Sequence, residues 1–482
     1  MFQGRLLFIF MSLLLGASSV TYSSTCSRTP ADSTLIVYPA PEEVRDSMAS
    51  PLYELHVRKP GGAWQEVFVY QVMVDLDNPQ QSAMAYFDLE GAAELRVTVK
   101  TGSAKTASIR PTADSISFRL VNNELYFRLQ GPSKLSIEFD GDIFCNLHLF
   151  ANKIETAIPD PGDPDVIYFG PGLHQPGKDP LTPYPIPSGK TVYIAGGAVV
   201  RATFTCENAK NVRLIGRGII DQSRYGLKIA HSDSVFVGGV ILLNTVSYGI
   251  FGGQSNDLTV EDLKSISSAK YSDGIDLMSC NNVQVRDVFL RNSDDCIAIY
   301  GHRWDYFGPA RNYSVSNAVL WADVAHPIHI GIHGNPGGTI DTISQLRFND
   351  IDILEHDEDS KQFQGCMAIS AGDQVFVSDV VFEDVRVEDF EEGQLINLRV
   401  VKSGAFNTVP GTGIKDILFK NITYWGDRAS ASVIQGYDSE RLVRHVTFEN
   451  VCISGKLVSK ADSSTLIVGP FADNIRFQPL EK

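Results

Sequence analysis

The chain has 482 residues and a net charge of −16, and 43% of its residues are hydrophobic. A negative field repels nucleic acid and anionic membrane surfaces, so we expect neither as a partner. The length exceeds that of one compact core and predicts two domains, or an elongated solenoid with a smaller module.

The N-terminus predicts secretion. Arg5 is followed by an apolar run at residues 6–15 and by small residues at 16–19, which is the pattern of a cleavable signal peptide. The run is too short for a membrane anchor. We therefore expect a signal peptide at residues 1–19 and a secreted, extracellular protein, or a periplasmic one in a bacterium.

The seven cysteines lack the short spacings of zinc ligands, so no metal site and no other cofactor is predicted. Secretion would permit disulfides. The odd number leaves at least one thiol over unless Cys26 is removed or pairs outside the chain.

Residues 34–152 predict a β-sandwich. Short alternating segments, separated by turn residues, occupy 53–57, 67–72, 94–99, 115–120 and 125–129. Tight connections such as 121–124 favour antiparallel pairing. Residues 158–164 contain three prolines and have the composition of a linker, so we place the N-terminal domain at 26–160.

Beyond the linker, an apolar–polar–apolar triplet repeats. The interval between triplets grows from 23 residues, Leu214 to Val237, to 37 residues, Phe382 to Phe419. A period of this size, with β-branched strands and Asn, Asp or Gly at the corners, is typical of a solenoid. We predict an all-β protein, with a right-handed parallel β-helix at 165–482 preceded by the β-sandwich. A leucine-rich repeat would need a stricter period, and a propeller would need four-stranded blocks.

Three carboxylates are spaced by about one repeat. Asp294 and Asp295 follow Asp273 by 21 and 22 residues. Residues one rung apart stack at about 4.8 Å, so Asp273 should lie beside one member of the pair. Both members can face one groove only if the backbone bends. Crowded carboxylates raise one another's pKa, so one should hold a proton near neutrality, as glycoside hydrolysis requires. For Asp276 we favour a turn-capping role.

These motifs resemble a known family. The segments Asp273-Gly274-Ile275-Asp276 and Asp294-Asp295-Cys296-Ile297 are similar to the paired motifs of glycoside hydrolase family 28, the polygalacturonases. Residues 325–331, Ala-His-Pro-Ile-His-Ile-Gly, resemble its Gly-His-Gly-Leu-Ser-Ile-Gly segment. The resemblance implies that Asp294 is the general acid, that Asp273 and Asp295 activate water, that His326 orients the acid, and that the anomeric configuration inverts.

The chain also departs from the family pattern. Ser293 replaces the glycine before the Asp pair, and only Lys361 could correspond to the family's substrate-binding Arg-Ile-Lys. Arg303, Trp304 and His329 lie near the predicted site and are further candidates for binding substrate. A β-sandwich ahead of a β-helix is similar to family 49, the dextranases and isopullulanases.

We therefore predict a secreted glycoside hydrolase with a polysaccharide substrate, in the first instance a pectic one. A neutral α-glucan hydrolase of dextranase type and a non-catalytic carbohydrate-binding solenoid stay open as alternatives. A pectate-lyase-like reaction would need calcium and a basic residue, and no obvious arginine base accompanies the Asp pair.

Overall fold

The computed structural model describes residues 33–478, and the predicted signal peptide at 1–19 and Cys26 lie outside these residues. Strands dominate this part of the chain, which also contains an α-helix at Glu42–Met48 and a 3-10 helix at Thr112–Asp114. Between residues 33 and 478, no helix combines the length and apolar character needed to cross a membrane.

The N-terminal part forms the predicted β-sandwich. In spatial order, one sheet contains Thr34–Val37, Gln80–Glu90, Asp142–Asn152, Ser133–Phe139 and Ala107–Arg110, with Tyr70–Val74 also paired to Gln80–Glu90. The other sheet contains Gln65–Val67, Tyr53–Arg58, Ala93–Val99, Glu124–Leu129 and Phe118–Val121. Alternate residues of these strands are buried because each sheet turns one face to the shared core.

Two details of the sandwich differ from the prediction. The strand predicted at 67–72 is divided into Gln65–Val67 and Tyr70–Val74, which belong to different sheets, because the chain crosses the sandwich there. The helix at Glu42–Met48 was not predicted, since two turns are too few to show a helical period.

The solenoid is the predicted parallel β-helix, and its first strand begins at Val166. One sheet contains, in order, Val166–Phe169, Gly172–His174, Thr191–Ile194, Ala198–Val200, Lys210–Gly216, Ile219–Asp221, Asp233–Gly238, Ile241–Leu243, Asn256–Glu261, Lys264–Ile266, Asn281–Asn292, Ala310–Ala322, Thr342–His356, Phe376–Val387, Gly413–Tyr424, Val443–Ile453, Lys456–Leu457 and Ala472–Gln478.

The second sheet of the solenoid consists of short strands. They are Pro183–Pro185, Thr203–Glu207, Leu227–Ala230, Ile250–Gly253, Ile275–Met278, Ile297–Tyr300, Ile328–Gly331, Met367–Ala371, Ile396–Val400, Ser432–Gln435 and Leu466–Val468. We call this the short-strand sheet, and the other the long-strand sheet.

The sequence repeat corresponds to the strand register of the solenoid. The third residue of each triplet pairs with that of the next rung, from Leu214 through Val237, Val260, Val285, Val315, Phe348, Phe382 and Phe419 to Phe448. Their side chains fill the core, and the phenylalanine rings stack at 4.9 to 5.4 Å between centroids, out to Phe477.

The sandwich packs against the outer face of the long-strand sheet. Phe150 of the sandwich meets Phe289 of the solenoid with 5.1 Å between ring centroids, and Tyr86 and Trp321 belong to the same buried cluster. Ser33–Lys482 is one compact unit, so the division into domains at residue 160 stays a prediction.

The described cysteines are all free thiols. Those buried in the solenoid core are Cys206, Cys280, Cys296 and Cys366, and those partly exposed are Cys145 and Cys452.

Candidate active site

Three polar residues lie side by side on successive rungs of the short-strand sheet. They are Asp273, Asp295 and His326. Each lies two residues before an isoleucine, and these isoleucines, Ile275, Ile297 and Ile328, pair with one another in register. The Gly274 amide donates to the Asp295 carbonyl at 2.9 Å, and the Cys296 amide donates to the His326 carbonyl at 2.8 Å. The predicted stacking of Asp273 on one member of the Asp pair is confirmed, and that member is Asp295.

Asp294 reaches the same place because the backbone bends. The strand before it ends at Asn292 and the next begins at Ile297, so the Asp pair lies between strands. The Asp294 carboxylate accepts a hydrogen bond from the Asp295 amide at 3.0 Å. One carboxylate oxygen from each of Asp273, Asp294 and Asp295 lies within 4.8 Å of the others, so all three face one site.

Two histidines and a tyrosine hold the Asp295 carboxylate. Its Oδ1 lies 2.6 Å from Nδ1 of His326, and its Oδ2 lies 3.0 Å from Nδ1 of His329. The Tyr300 hydroxyl donates to Oδ2 at 3.1 Å. The other ring nitrogen of His326 is 2.7 Å from the Phe363 carbonyl. Because a carbonyl and a carboxylate only accept hydrogen bonds, both nitrogens of His326 carry protons, and the ring is an imidazolium.

The protonation of these groups follows from their charges. Burial alone would raise the pKa of Asp295, but His329 and His326 hold it well below its usual value, so the carboxylate is ionised. Burial opposes a charge on His326, but the Asp295 carboxylate prevails and raises the pKa of His326 to about 9. Burial and the His326 charge lower the pKa of His329, which leaves it neutral.

The other carboxyls of the trio keep their protons to a higher pH than an ordinary aspartate. Burial, followed by repulsion from Asp295, raises the pKa of Asp294 to about 7. Burial and repulsion from Asp294 raise the pKa of Asp273 well above its usual value. The expected proton near neutrality is thus present, beside a carboxylate that stays ionised.

His326 contacts Asp295 and not the acid that the resemblance implies. Both its Nδ1 and its backbone amide, at 3.1 Å, meet Asp295 Oδ1, and its ring stacks on that of His329 with 4.2 Å between centroids. It therefore orients the ionised carboxylate of the trio.

Asp276 belongs to the site, and the turn-capping role expected for it is wrong. It lies in the strand Ile275–Met278, points outward, and pairs with Arg303 at 3.2 Å. Burial raises the pKa of Asp276 to about 8, against the opposing charge of Arg303. The outward position, next to two core residues, was the signal that could have identified it.

Trp304 forms an exposed aromatic wall beside the carboxyls. It is 52% exposed, and the Arg303 guanidinium lies 4.6 Å from its ring centroid. Tyr248 and Phe251 meet the Trp304 ring edge to face at 6.0 and 6.2 Å. The exposed indole offers a stacking surface and the partly buried guanidinium offers a charge to a ligand at this position.

Lys361 is exposed and lies in a turn ahead of the strand Met367–Ala371. That strand turns Ile369 into the core and presents Ala368 and Ser370 outward. An Arg-Ile-Lys segment at residues 368–370 would present two basic side chains outward, whereas the Ala-Ile-Ser of this chain presents two small neutral ones. The substrate-binding role of Lys361 stays a prediction.

The geometry also bears on metal binding. Asp295, His326 and His329 each offer a ligand atom within 4.8 Å of the others. A metal ligand needs a nitrogen lone pair. Since His326 donates from both nitrogens, its contacts fit an ion pair with Asp295 and do not fit coordination.

Comparison with known proteins supplies the family. Residues 221–468, more than half of the chain, match the family model described as glycosyl hydrolases family 28. The chain belongs to this family. The matched segment contains Asp273, Asp294, Asp295 and His326, and the resemblance drawn from the sequence motifs is confirmed.

Two curated plant proteins are similar in sequence. An exopolygalacturonase of Arabidopsis thaliana, clone GBGE184, is 23% identical over 254 residues, which cover 52% of this chain and 56% of that protein. A probable polygalacturonase of Vitis vinifera is 24% identical over 98 residues, 20% of each chain. The family 28 chain thus spans about half the length of the Arabidopsis protein.

Two solved structures share the fold. Dex49A from Penicillium minioluteum has a TM-score of 0.59 and 17% identity, covering 90% of this chain and 94% of its own. The family 28 exopolygalacturonase of Yersinia enterocolitica has a TM-score of 0.52 and 11% identity, covering 87% of this chain and all of its own. Both likenesses concern the fold.

Proposed function

We propose that this family 28 protein is a secreted glycoside hydrolase that cleaves a pectic polysaccharide by acid–base catalysis. The observation that carries the proposal is the division of protonation within the trio. His326 and His329 keep Asp295 ionised, while burial and the Asp295 charge hold a proton on Asp294 near neutrality. Hydrolysis of a glycosidic bond needs one carboxyl in each state.

The roles follow from this division. Asp294 is half-buried and protonated, so it donates its proton to the leaving glycosidic oxygen. Asp295 accepts a proton from the attacking water, and Asp273, stacked beside it, helps to hold that water. His326, Tyr300 and His329 keep the base ionised and oriented.

The proposed stereochemical outcome is inversion of the anomeric configuration, as the resemblance to family 28 implies. Inverting enzymes commonly separate acid and base by about 6.5 to 9.5 Å to admit water between them. Here the nearest oxygens of the trio lie within 4.8 Å, so the water must enter beside Asp273 and Asp295 rather than between acid and base. Proton NMR of the first-formed sugar tests this point. If the configuration is retained, Asp295 acts as a nucleophile and not as a general base.

Two observations bear on the substrate. Family membership, and curated relatives named as polygalacturonases, support a pectic chain, with Arg303 near its carboxylate and Trp304 against a sugar ring. A neutral α-glucan is the second candidate, because Arg303 is paired with Asp276 and the rung after that of His329 presents Ala368 and Ser370.

The test compares reducing-sugar release from polygalacturonate, rhamnogalacturonan, dextran and pullulan by the wild type and by Asp294→Asn. Loss of the acid should lower kcat by about 10² to 10⁴ on the glycan that is cleaved. Asp257→Asn, on the long-strand sheet, is the matched control and should keep full activity. A folded wild type that binds a glycan without ever cleaving one would establish the non-catalytic alternative instead.

A further inference from the structure

We propose that the N-terminal sandwich is a positioning part of the active site, in which the turn after strand Tyr70–Val74 holds the bend that carries Asp294 and Asp295. The inference rests on the proposed function, because it states what fixes the acid of that site. It assigns the sandwich a role beyond covering one face of the solenoid.

The direct contact is a hydrogen bond from the sandwich to the residue before the acid. The Leu76 amide donates to Ser293 Oγ at 3.1 Å, and Ser293 is 1% exposed. The same hydroxyl donates to the Ser267 carbonyl of the preceding rung at 3.3 Å. One side chain thus joins the sandwich, one rung of the solenoid and the bend at Asp294.

The sandwich turn is itself well ordered by local hydrogen bonds. Asp75 Oδ1 accepts from the amides of Asp77 and Asn78 at 3.0 and 3.3 Å, which closes an Asx turn. The Asp75 amide donates to Asp323 Oδ2 at 3.2 Å. Asp323 lies three residues before His326. The turn therefore contacts the segment before Asp294 and also the segment before His326.

A buried ion pair connects the segment before Asp294 with the segment before His326. Arg291 and Asp323 are both fully buried and share hydrogen bonds of 2.8 to 3.0 Å. Arg291 also donates to Asn146 at 3.0 Å and to His148 at 3.3 Å, and both of these belong to the sandwich strand Asp142–Asn152. The rungs that end in Asp294 and His326 are therefore joined to each other and to the sandwich.

The bend needs this support because it lies outside the strands. Among the described residues, backbone hydrogen bonds to neighbouring rungs are made by Asp295 and Cys296 but not by Ser293 or Asp294, so such bonds do not fix the side-chain direction of Asp294. Ser293 stands where the resembling family has glycine, which has no side-chain acceptor for Leu76. A misplacement of about 1 Å in a catalytic group can cost about 10²-fold in rate.

The experiment removes the Ser293 hydroxyl, with its hydrogen bonds from Leu76 and to Ser267, and compares this with the loss of one hydrogen bond elsewhere in the same interface. Ser293→Ala removes the acceptor of Leu76, and Ser293→Thr keeps a hydroxyl as the rescue variant. The control is Tyr86→Phe, since the Tyr86 hydroxyl of the sandwich accepts from the Gly197 amide of the solenoid at 3.0 Å, far from the acid. Both losses should lower Tm, and Ser293→Ala should lower it more because it removes two hydrogen bonds.

Only the loss of the Ser293 hydroxyl should change the catalytic rate. We expect Ser293→Ala to lower kcat about tenfold with KM unchanged, Ser293→Thr to recover most of it, and Tyr86→Phe to keep the wild-type kcat. Equal kcat values for Ser293→Ala, Tyr86→Phe and the wild type would overturn the inference and leave the sandwich as a structural cover.

A second measurement does not depend on activity. If the wild type cleaves no glycan, the proposed function fails by itself, and amide hydrogen exchange at residues 293–297 then tests the support. Exchange should be faster in Ser293→Ala and unchanged in Tyr86→Phe. Unchanged exchange in Ser293→Ala would show that the turn does not hold the bend.

Discussion

Replacing His326 with glutamine should move the acidic limb of the pH–rate profile to higher pH. Glutamine can still donate one hydrogen bond to Asp295, but it carries no charge. Asp295 must be ionised to accept a proton from water, so activity is present above its pKa and is lost as the pH falls through that value. Removal of the imidazolium therefore raises the pH at which activity is lost.

The structure sets the size of the effect. The pKa of His326 rises from 6.5 to about 9 although burial opposes the charge, chiefly because of Asp295, with smaller contributions from Glu358 and the Phe363 carbonyl, so the attraction to Asp295 is worth on the order of 3 kcal/mol. The attraction is reciprocal, so its loss raises the pKa of Asp295, and about 3 kcal/mol corresponds to a movement of the acidic limb by about two pH units.

The assay is kcat/KM across the acidic range for the wild type, His326→Gln and a control, His356→Gln. The His356 ring lies 6.2 Å from that of His326, and burial lowers the pKa of His356 to about 3, so it is uncharged. The acidic limb should move by about two pH units only in His326→Gln. A uniform loss of activity at every pH, with the limb unmoved, would refute the assignment of Asp295 as the base held by His326.

Three further outcomes are expected. The wild type should lose activity as the pH rises through about 7, where Asp294 gives up its proton, and a profile that stays flat well above this pH would exclude it as the acid. Arg303→Gln should raise KM for polygalacturonate about tenfold, as expected for one charged hydrogen bond, and should leave KM for dextran unchanged; equal changes would argue against a pectic substrate. Phe382→Ala should cost about 3 to 5 kcal/mol in urea unfolding, more than Phe477→Ala at the partly exposed end of the stack, and equal losses would contradict the core ladder.

The solenoid could be predicted closely because its signal is local and repeated. Each rung must place an apolar side chain over that of its neighbour, so the triplet ending in Leu214, Val237 or Phe382 marks the register wherever it occurs. The division of the sandwich strand near residues 68–69 could not be predicted, because it depends on which sheet each half joins.

The candidate site was predicted in part for the same reason. The interval between Asp273 and Asp295 equals one rung, so their stacking followed from the repeat. Asp276 was misassigned because its role comes from Arg303, which is supplied by a segment beyond the next rung. Sequence alternation showed that Asp276 would face outward, but not which charge it would meet.

The sequence by itself thus determined the fold class, the register and the set of stacked carboxyls, because these depend on side-chain period and on residues one rung apart. Only the tertiary structure decided which carboxyl keeps its proton and which loses it. That choice depends on burial and on the distances to His326, His329 and Arg303, which lie in later segments of the chain. The contact of Leu76 with Ser293 likewise joins residues 217 positions apart, and no local pattern records it.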